Sequence, residues 1–183
     1  MKMPTIMITM SRRPTRIIRT FCNELASTLP GAIRVNRGKM SFEDIAEKAW
    51  ELEADKVILV TRWKGNPGKI CLFNVGDEGL EPFPPLIYIY GVKLRRDMGV
   101  RLGKVRSLAV SARPERGRFG RALADFLEVP FLEPGQEPSA EADVLLKIKP
   151  DVERYAVMGF FRASDGREVG PRIRVRHLIW ELG

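Results

Sequence analysis

The segment Thr9-Met10-Ser11-Arg12-Arg13-Pro14-Thr15-Arg16 constrains this chain more than any other. Before it, Ile6 to Thr9 reads as a short buried strand. After it, Ile17, Ile18, Phe21, Cys22, Leu25 and Leu29 recur at helical spacing until Pro30-Gly31 stops the run. Pro14 suits the first helical position. Arg12, Arg13, Arg16 and Arg19 therefore crowd a strand-to-helix turn, and no acidic residue precedes Glu24. Unpaired backbone N–H groups and the helix dipole already make that end positive, so arginines there oppose the dipole. A bound anion removes the conflict, because N–H groups and guanidinium forks together hold phosphate. One or two arginines would read as a solvated helix end. Four point to a polyanion contact.

The rest of the chain alternates strand and helix patterns. Ala32 to Val35 reads as a strand, followed by the basic turn Asn36-Arg37-Gly38-Lys39. Ser41 and Asp44 form a capping-box pattern, with Phe42, Ile45, Ala46, Ala49 and Leu52 along one helical face. Lys56 to Trp63 and Lys69 to Val75 form a hairpin about Gly65-Asn66-Pro67-Gly68. Gly76 to Pro85 reads as a junction between two halves. Strands are expected at Leu86 to Val92 and Ser107 to Ser111, then a helix at Arg118 to Leu127. Ala140 to Ile148 reads as a short helix ended by Pro150. Two strands close the chain, about 154–163 and 172–181. In the last, Ile173, Val175, His177 and Ile179 face one way, and Arg172, Arg174, Arg176, Leu178 and Trp180 the other. The expectation is an α/β fold, three-layered, on a mixed sheet. The two halves share a loose element order but no convincing sequence repeat.

Thirty-one Lys and Arg against twenty-three Asp and Glu leave a net charge of +8, which suits nucleic acid or an acidic membrane surface. No apolar run reaches membrane-spanning length and no signal-peptide core is present, so a cytoplasmic protein is expected. Cys22 and Cys71 read as buried thiols in a reducing compartment. Enzyme signatures fail. No Gly-Lys pair carries the Walker spacing, no Gly-x-Gly occurs, and His177 is the single histidine. Clustered zinc ligands are missing from the sequence, and no cofactor is expected.

Four segments in order resemble the Brix domain of ribosome-biogenesis proteins, most closely its small-subunit-processing branch. They are residues 9–16, Leu29-Pro30 leading into 34–41, Gly65-Asn66-Pro67-Gly68, and Glu168-Val169-Gly170-Pro171-Arg172-Ile173. The resemblance spans 1–183 as a single domain, with halves of about 1–82 and 83–183. It implies that each half resembles the anticodon-binding domain of class IIa aminoacyl-tRNA synthetases. It also implies a non-catalytic rRNA-binding role in pre-rRNA processing and small-subunit assembly. The first motif lies close to the start of the sequence, which fits an archaeal, stand-alone form rather than the extended eukaryotic one.

On this reading, phosphate contacts come from Arg12, Arg13, Arg16 and Arg19, and from Arg34, Arg37 and Lys39 at the second turn. These form one patch if the strand order brings both turns to one sheet edge. Arg95 and Arg96, within the cluster Lys93 to Arg106, extend it, unless that cluster is only a flexible basic loop. Arg113, Arg116, Arg118 and Arg121 are further candidates. Arg172, Arg174 and Arg176 read as ion-pair partners of nearby carboxylates. Among Trp63, Phe83, Tyr88 and Tyr90, Trp63 beside Lys64 is the best base-stacking candidate, and recognition rests mainly on shape and backbone. The partners expected are ribosomal RNA or its precursor and other assembly proteins, with a monomer slightly favoured. Two other readings stay open. One is a scaffold whose basic face meets an acidic protein. The other is a metal-dependent ribonuclease using a carboxylate such as Asp97 or Asp165.

Overall fold

The computed structural model describes residues 3–133, 135–136 and 142–182. Its elements are β1 (Ile6–Met10), α1 (Arg16–Thr28), β2 (Ala32–Arg34), α2 (Phe42–Glu51), β3 (Lys56–Trp63), β4 (Asn66–Gly76) and β5 (Gly79–Lys93). The second half adds β6 (Leu108–Ala112), α3 (Gly117–Leu127), β7 (Phe131–Leu132), β8 (Val144–Pro150), β9 (Ala156–Arg162) and β10 (Arg172–Ile179). All strands join one sheet in the order β2-β1-β3-β4-β5-β10-β9-β8-β6-β7.

That order is a palindrome of two like halves. β1 lies parallel to β2 and β3, and β3, β4 and β5 follow antiparallel. β6 lies parallel to β7 and β8, and β8, β9 and β10 follow antiparallel. β5 and β10 pair antiparallel and weld the halves into a continuous sheet. One face carries α1 and α3. Ile18, Phe21, Phe119 and Phe126 are buried there against Ile8, Val60, Ile89, Val110 and Phe160. The other face carries α2, whose Ile45 and Ala49 cover Met7, Val57, Leu59, Cys71 and Phe73. Each buried side chain of this size contributes about 1.5–3 kcal/mol.

Several local expectations change. Helix α1 begins at Arg16, not Pro14, because the Thr15 hydroxyl is the cap and accepts from the Ile18 N–H. The β3–β4 turn is Lys64-Gly65, so only Gly65 of the expected turn Gly65-Asn66-Pro67-Gly68 takes part and the other three begin β4. Both turn residues have positive φ, which suits the twist of a two-residue hairpin. Gly68 instead lies at the register shift beside Thr61 and Arg62, where a Cβ would stand 2.3 Å from the Trp63 Cβ.

Residues 76–85 are no junction. They make the β4–β5 turn and the first part of β5, so residues 82 and 83 both lie within a strand. Residues 144–150 form a strand rather than a helix, because Val144, Leu146 and Ile148 point inward and Lys147 and Lys149 outward at period two. Residues 140–141 of that expected helix lie outside the described residues. In β10 an irregularity between Val175 and His177 shifts the phase. Leu178 turns toward the core and His177 is exposed.

Candidate nucleic-acid interface

Parallel pairing of β2, β1 and β3 puts their carboxyl ends on one edge, so three loops meet: 11–15, 35–41 and the turn 64–65. The two basic turns of the sequence thus form one patch. Arg12 joins them. Its Nε donates to the Met40 carbonyl at 3.3 Å and its Nη2 to that of Lys39 at 3.4 Å. Arg37 is half-buried beneath, its Nε donating to the Met40 carbonyl (2.7 Å) and its Nη1 to that of Met10 (3.2 Å). Burial, and then the charge of Arg12, lower the pKa of Arg37. The two guanidinium groups are packed against their mutual repulsion. Asp44 is the carboxylate in reach of Arg12, but it is engaged as the α2 cap. The Ser41 N–H and hydroxyl, helped by Arg12, hold its carboxyl below the usual range.

Arg13, Arg16, Arg19 and Lys39 are largely exposed, and their side chains have no hydrogen bond or ion pair among the described residues. Arg13 has φ +54°, an uncommon conformation for a side-chain-bearing residue. Arg62 donates to its carbonyl at 2.8 Å and fixes the turn. Arg62 was not among the expected contacts, and its place beside Trp63 at the end of a strand is the signal in the sequence that marks it. Thr15 donates to the Gly65 carbonyl at 2.7 Å and ties the hairpin to the start of α1. Arg34 is less available. It is half-buried, donates to the Asn36 side chain, and its charge opposes the burial that pushes the Cys22 thiol up to about 12.

Trp63 is 60% exposed, with the Lys64 ammonium 5.5 Å from its ring. Both line a groove of about 400 Å³ with Ile17 of α1 and Arg96 and Asp97 of the turn after β5. The structure therefore brings Trp63, Lys64 and Arg96 together beside the arginine turn.

Arg95 goes elsewhere. Its Nε donates to the Val169 carbonyl at 2.6 Å, Nη1 to the Ser27 hydroxyl at 2.8 Å, and Nη2 to Thr28 and to the Gly170 carbonyl (3.0 Å). Its guanidinium bolts α1 to the segment before β10. Burial lowers its pKa and the charge of Glu24 opposes that.

The remaining candidates divide similarly. Lys93, Arg101, Lys104 and Arg106 are exposed. Arg116 lies 4.1 Å from the Tyr155 ring, Arg118 3.9 Å from that of Trp180, and Arg121 binds Glu133. Arg172 pairs with Glu168 and Arg174 with Asp151, as expected, whereas Arg176 lies over Tyr88. Phe83 packs on Phe126 in the core. Asp165 is paired with Arg162. Among the described residues no group of three or more His, Cys, Asp or Glu could hold a metal. No helix there is long and apolar enough to cross a membrane.

The fold also exposes a repeat that the sequence reading missed. Ser11-Arg12-Arg13-Pro14-Thr15-Arg16 follows β1, and Ser111-Ala112-Arg113-Pro114-Glu115-Arg116 closes β6, at the same place in each half. Both carry Ser-x-Arg-Pro-x-Arg.

No family model matches the chain. A probable Brix domain-containing ribosomal biogenesis protein of Aeropyrum pernix is 34% identical over 170 residues, covering 92% of this chain and 93% of that protein. One of Methanopyrus kandleri is 32% identical, covering 92% of each. The crystal structure of a probable ribosomal biogenesis protein from Aeropyrum pernix K1 superposes with TM-score 0.80 at 28% identity, covering 98% of both chains. That of Mil, an archaeal Imp4-like protein, superposes with TM-score 0.68 at 22% identity over 96% of this chain and 99% of the other, a likeness of fold.

Proposed function

This chain belongs to the Brix domain-containing ribosomal biogenesis proteins, and on that premise we propose that it is a non-catalytic rRNA-binding factor of pre-rRNA processing and small-subunit assembly. The observation that carries the reading is the convergence of three loops at the carboxyl edge of β2-β1-β3. Arg13, Arg16, Arg19 and Lys39 stand there without side-chain partners among the described residues, and Arg12 and Arg37 are held side by side. A phosphate backbone supplies the charge this edge lacks, and Trp63 with Lys64 offers one stacking position beside it. Two halves of one topology also suit the proposed resemblance of each to an anticodon-binding domain. The RNA is a ribosomal RNA or its precursor, other assembly proteins share the complex, and the setting is the cytoplasm.

The test is cross-linking in cells with sequencing of bound RNA, alongside salt titrations of affinity in vitro. The control is Arg12→Ala/Arg13→Ala/Arg16→Ala. Each lost phosphate contact lowers the slope of log affinity against log salt by about 0.7 for a single strand. Three contacts therefore make about 2 units of slope, or roughly a hundredfold affinity at 0.1 M salt. Enrichment of a defined pre-rRNA region, lost in the control, is the expected result. Equal, diffuse RNA recovery from both proteins refutes it. A protein partner retained after nuclease treatment then makes the basic face a docking site for an acidic protein.

A further inference from the structure

The central and second-half strands alternate as half-covered strands should. Ile87, Ile89, Ile173, Val175, Met158 and Phe160 point to the face covered by α1 and α3. Their neighbours Tyr88, Tyr90, Arg174, His177 and Phe161 point the other way. The cluster under α2 reaches β1, β3 and β4 but includes no residue of β8, β9 or β10. α2 reaches β5 only over its first part, at Leu80 and Leu86, and over the rest of β5 and over β10, β9 and β8 no described helix covers the face.

What lies on that open face is not the polar mixture a merely solvated sheet needs. It is a field of rings, each with a cation in reach. His177 stacks on Tyr88 with centroids 4.5 Å apart and planes 14° from parallel. Lys69 and Arg176 lie 5.8 and 5.7 Å from the Tyr88 ring. Arg174 and Arg154 lie 4.6 and 5.6 Å from Tyr90, and Lys147 lies 5.0 Å from Phe161. The face also carries carboxylates. Glu168 pairs with Arg172, and Asp151 with Arg174 and the Tyr90 hydroxyl. Lys69, Lys147 and Arg176 make no ion pair among the described residues. Charge is therefore neutralised around Tyr90 and left open around Tyr88, His177 and Phe161.

We propose that this open face is a second RNA surface, selective for unpaired nucleotides. Bases stack on the exposed His177 of the Tyr88 pair and beside Phe161, and Lys69, Lys147 and Arg176 take the phosphates between them. An aromatic platform with cations on a sheet suits unpaired bases, which present their ring faces, whereas a duplex hides them. An acidic peptide would satisfy the lysines and leave the rings unused. The surface lies on the face opposite α1, and the groove of Trp63 and Ile17 meets it at Tyr90, so one RNA could be held by its backbone at the arginine edge and by its bases here. The proposal rests on the RNA-binding reading above and adds to it.

The test compares a single-stranded uridine 12-mer with a hairpin duplex, using the full chain and the variant Lys147→Ala/Arg176→Ala/His177→Ala, whose three residues are exposed. Ultraviolet cross-linking to the unaltered chain with peptide mapping gives a readout independent of the variant's folding. The expected results are at least a tenfold loss for the single strand, little change for the duplex, and cross-links on the peptides of β5 and β10. Unchanged single-strand affinity, with cross-links confined to Trp63, overturns this surface and leaves the arginine edge standing. Equal losses for single strand, duplex and poly-glutamate also overturn it, because they report charge alone. No binding of either RNA by the unaltered chain removes both readings.

Discussion

Replacing Arg95 with alanine tests whether the structure has assigned this arginine to the fold rather than to RNA. The guanidinium ties Ser27 and Thr28, at the end of α1, to the Val169 and Gly170 carbonyls, across more than sixty residues of sequence. Thr28 is fully buried and Glu24 nearly so. Alanine leaves these acceptors facing a void, and among the described residues it leaves the Glu24 carboxylate with only the Arg95 backbone N–H, which survives the change. Hydrogen bonds to charged groups contribute about 1.5–3 kcal/mol each, and several act together at a half-buried site. The loss should be about 3 kcal/mol. For a domain of this length that is a fall in Tm of roughly 6–12 °C.

The assay is urea unfolding followed by circular dichroism, with Arg96→Ala beside it. Arg96 is exposed, and its removal should stay within about 0.5 kcal/mol. Arg95→Lys keeps the charge but not the fork, and it should recover less than half of the loss. RNA affinity of folded Arg95→Ala should match the unaltered chain. A stability loss below about 1 kcal/mol, or a folded variant with weakened RNA binding, refutes the assignment.

Two further outcomes follow from local geometry. At Asp151, burial raises the carboxyl, but hydrogen bonds from Tyr90, the Glu153 N–H and Arg174 outweigh it and hold the value at about 2. A depressed carboxyl stabilises the fold fully above the unfolded value near 4 and loses that contribution as pH falls toward 2. Asp151→Asn should therefore be less stable than the unaltered chain at pH 6, and the gap should close between pH 4 and 2 in denaturation curves. In α3, a Cβ on Gly120 would stand 2.7 Å from the Ala112 Cβ and 2.8 Å from the Phe131 ring. Gly120→Ala gains about 1 kcal/mol of helix propensity but must displace a strand, at about 1–3 kcal/mol, so a net loss in thermal unfolding is expected.

Sequence carried the elements whose signal is local. The apolar spacing of α1, the Ser41–Asp44 capping box and the β-branched run of β3 all depend on near neighbours, and each stands where it was read. Misreadings came where two periods compete. Val144-Leu145-Leu146 fits either period, and only pairing with β6 and β9 settles it as a strand. Asn66-Pro67-Gly68 has turn chemistry, but Lys64-Gly65 makes the turn. The patch at the parallel edge was legible on condition of strand order. The fates of adjacent arginines were not. Arg95 and Arg96 are alike in sequence, and what separates them is Ser27, Thr28 and Gly170, brought near only by the fold.

The repeated Ser-x-Arg-Pro-x-Arg turn shows how one half came to hold the basic edge. Both copies occupy the same place, at the end of the first strand of a half and before its helix. In the first copy Arg13 and Arg16 have no side-chain partner among the described residues, and the position between Pro14 and Arg16 is a neutral capping threonine. In the second that position is Glu115, Arg12 is matched by Ala112, and Arg116 donates to the Tyr155 carbonyl at 2.8 Å while lying over its ring. The next arginine, Arg118, is covered by Trp180. The same motif is thus left open in one half and turned inward in the other, so symmetry of the backbone does not make two equal anion sites. Arg113 is the one cation of the second turn still exposed without a partner among the described residues. The cations left free on this turn therefore concentrate in the first half, beside Trp63.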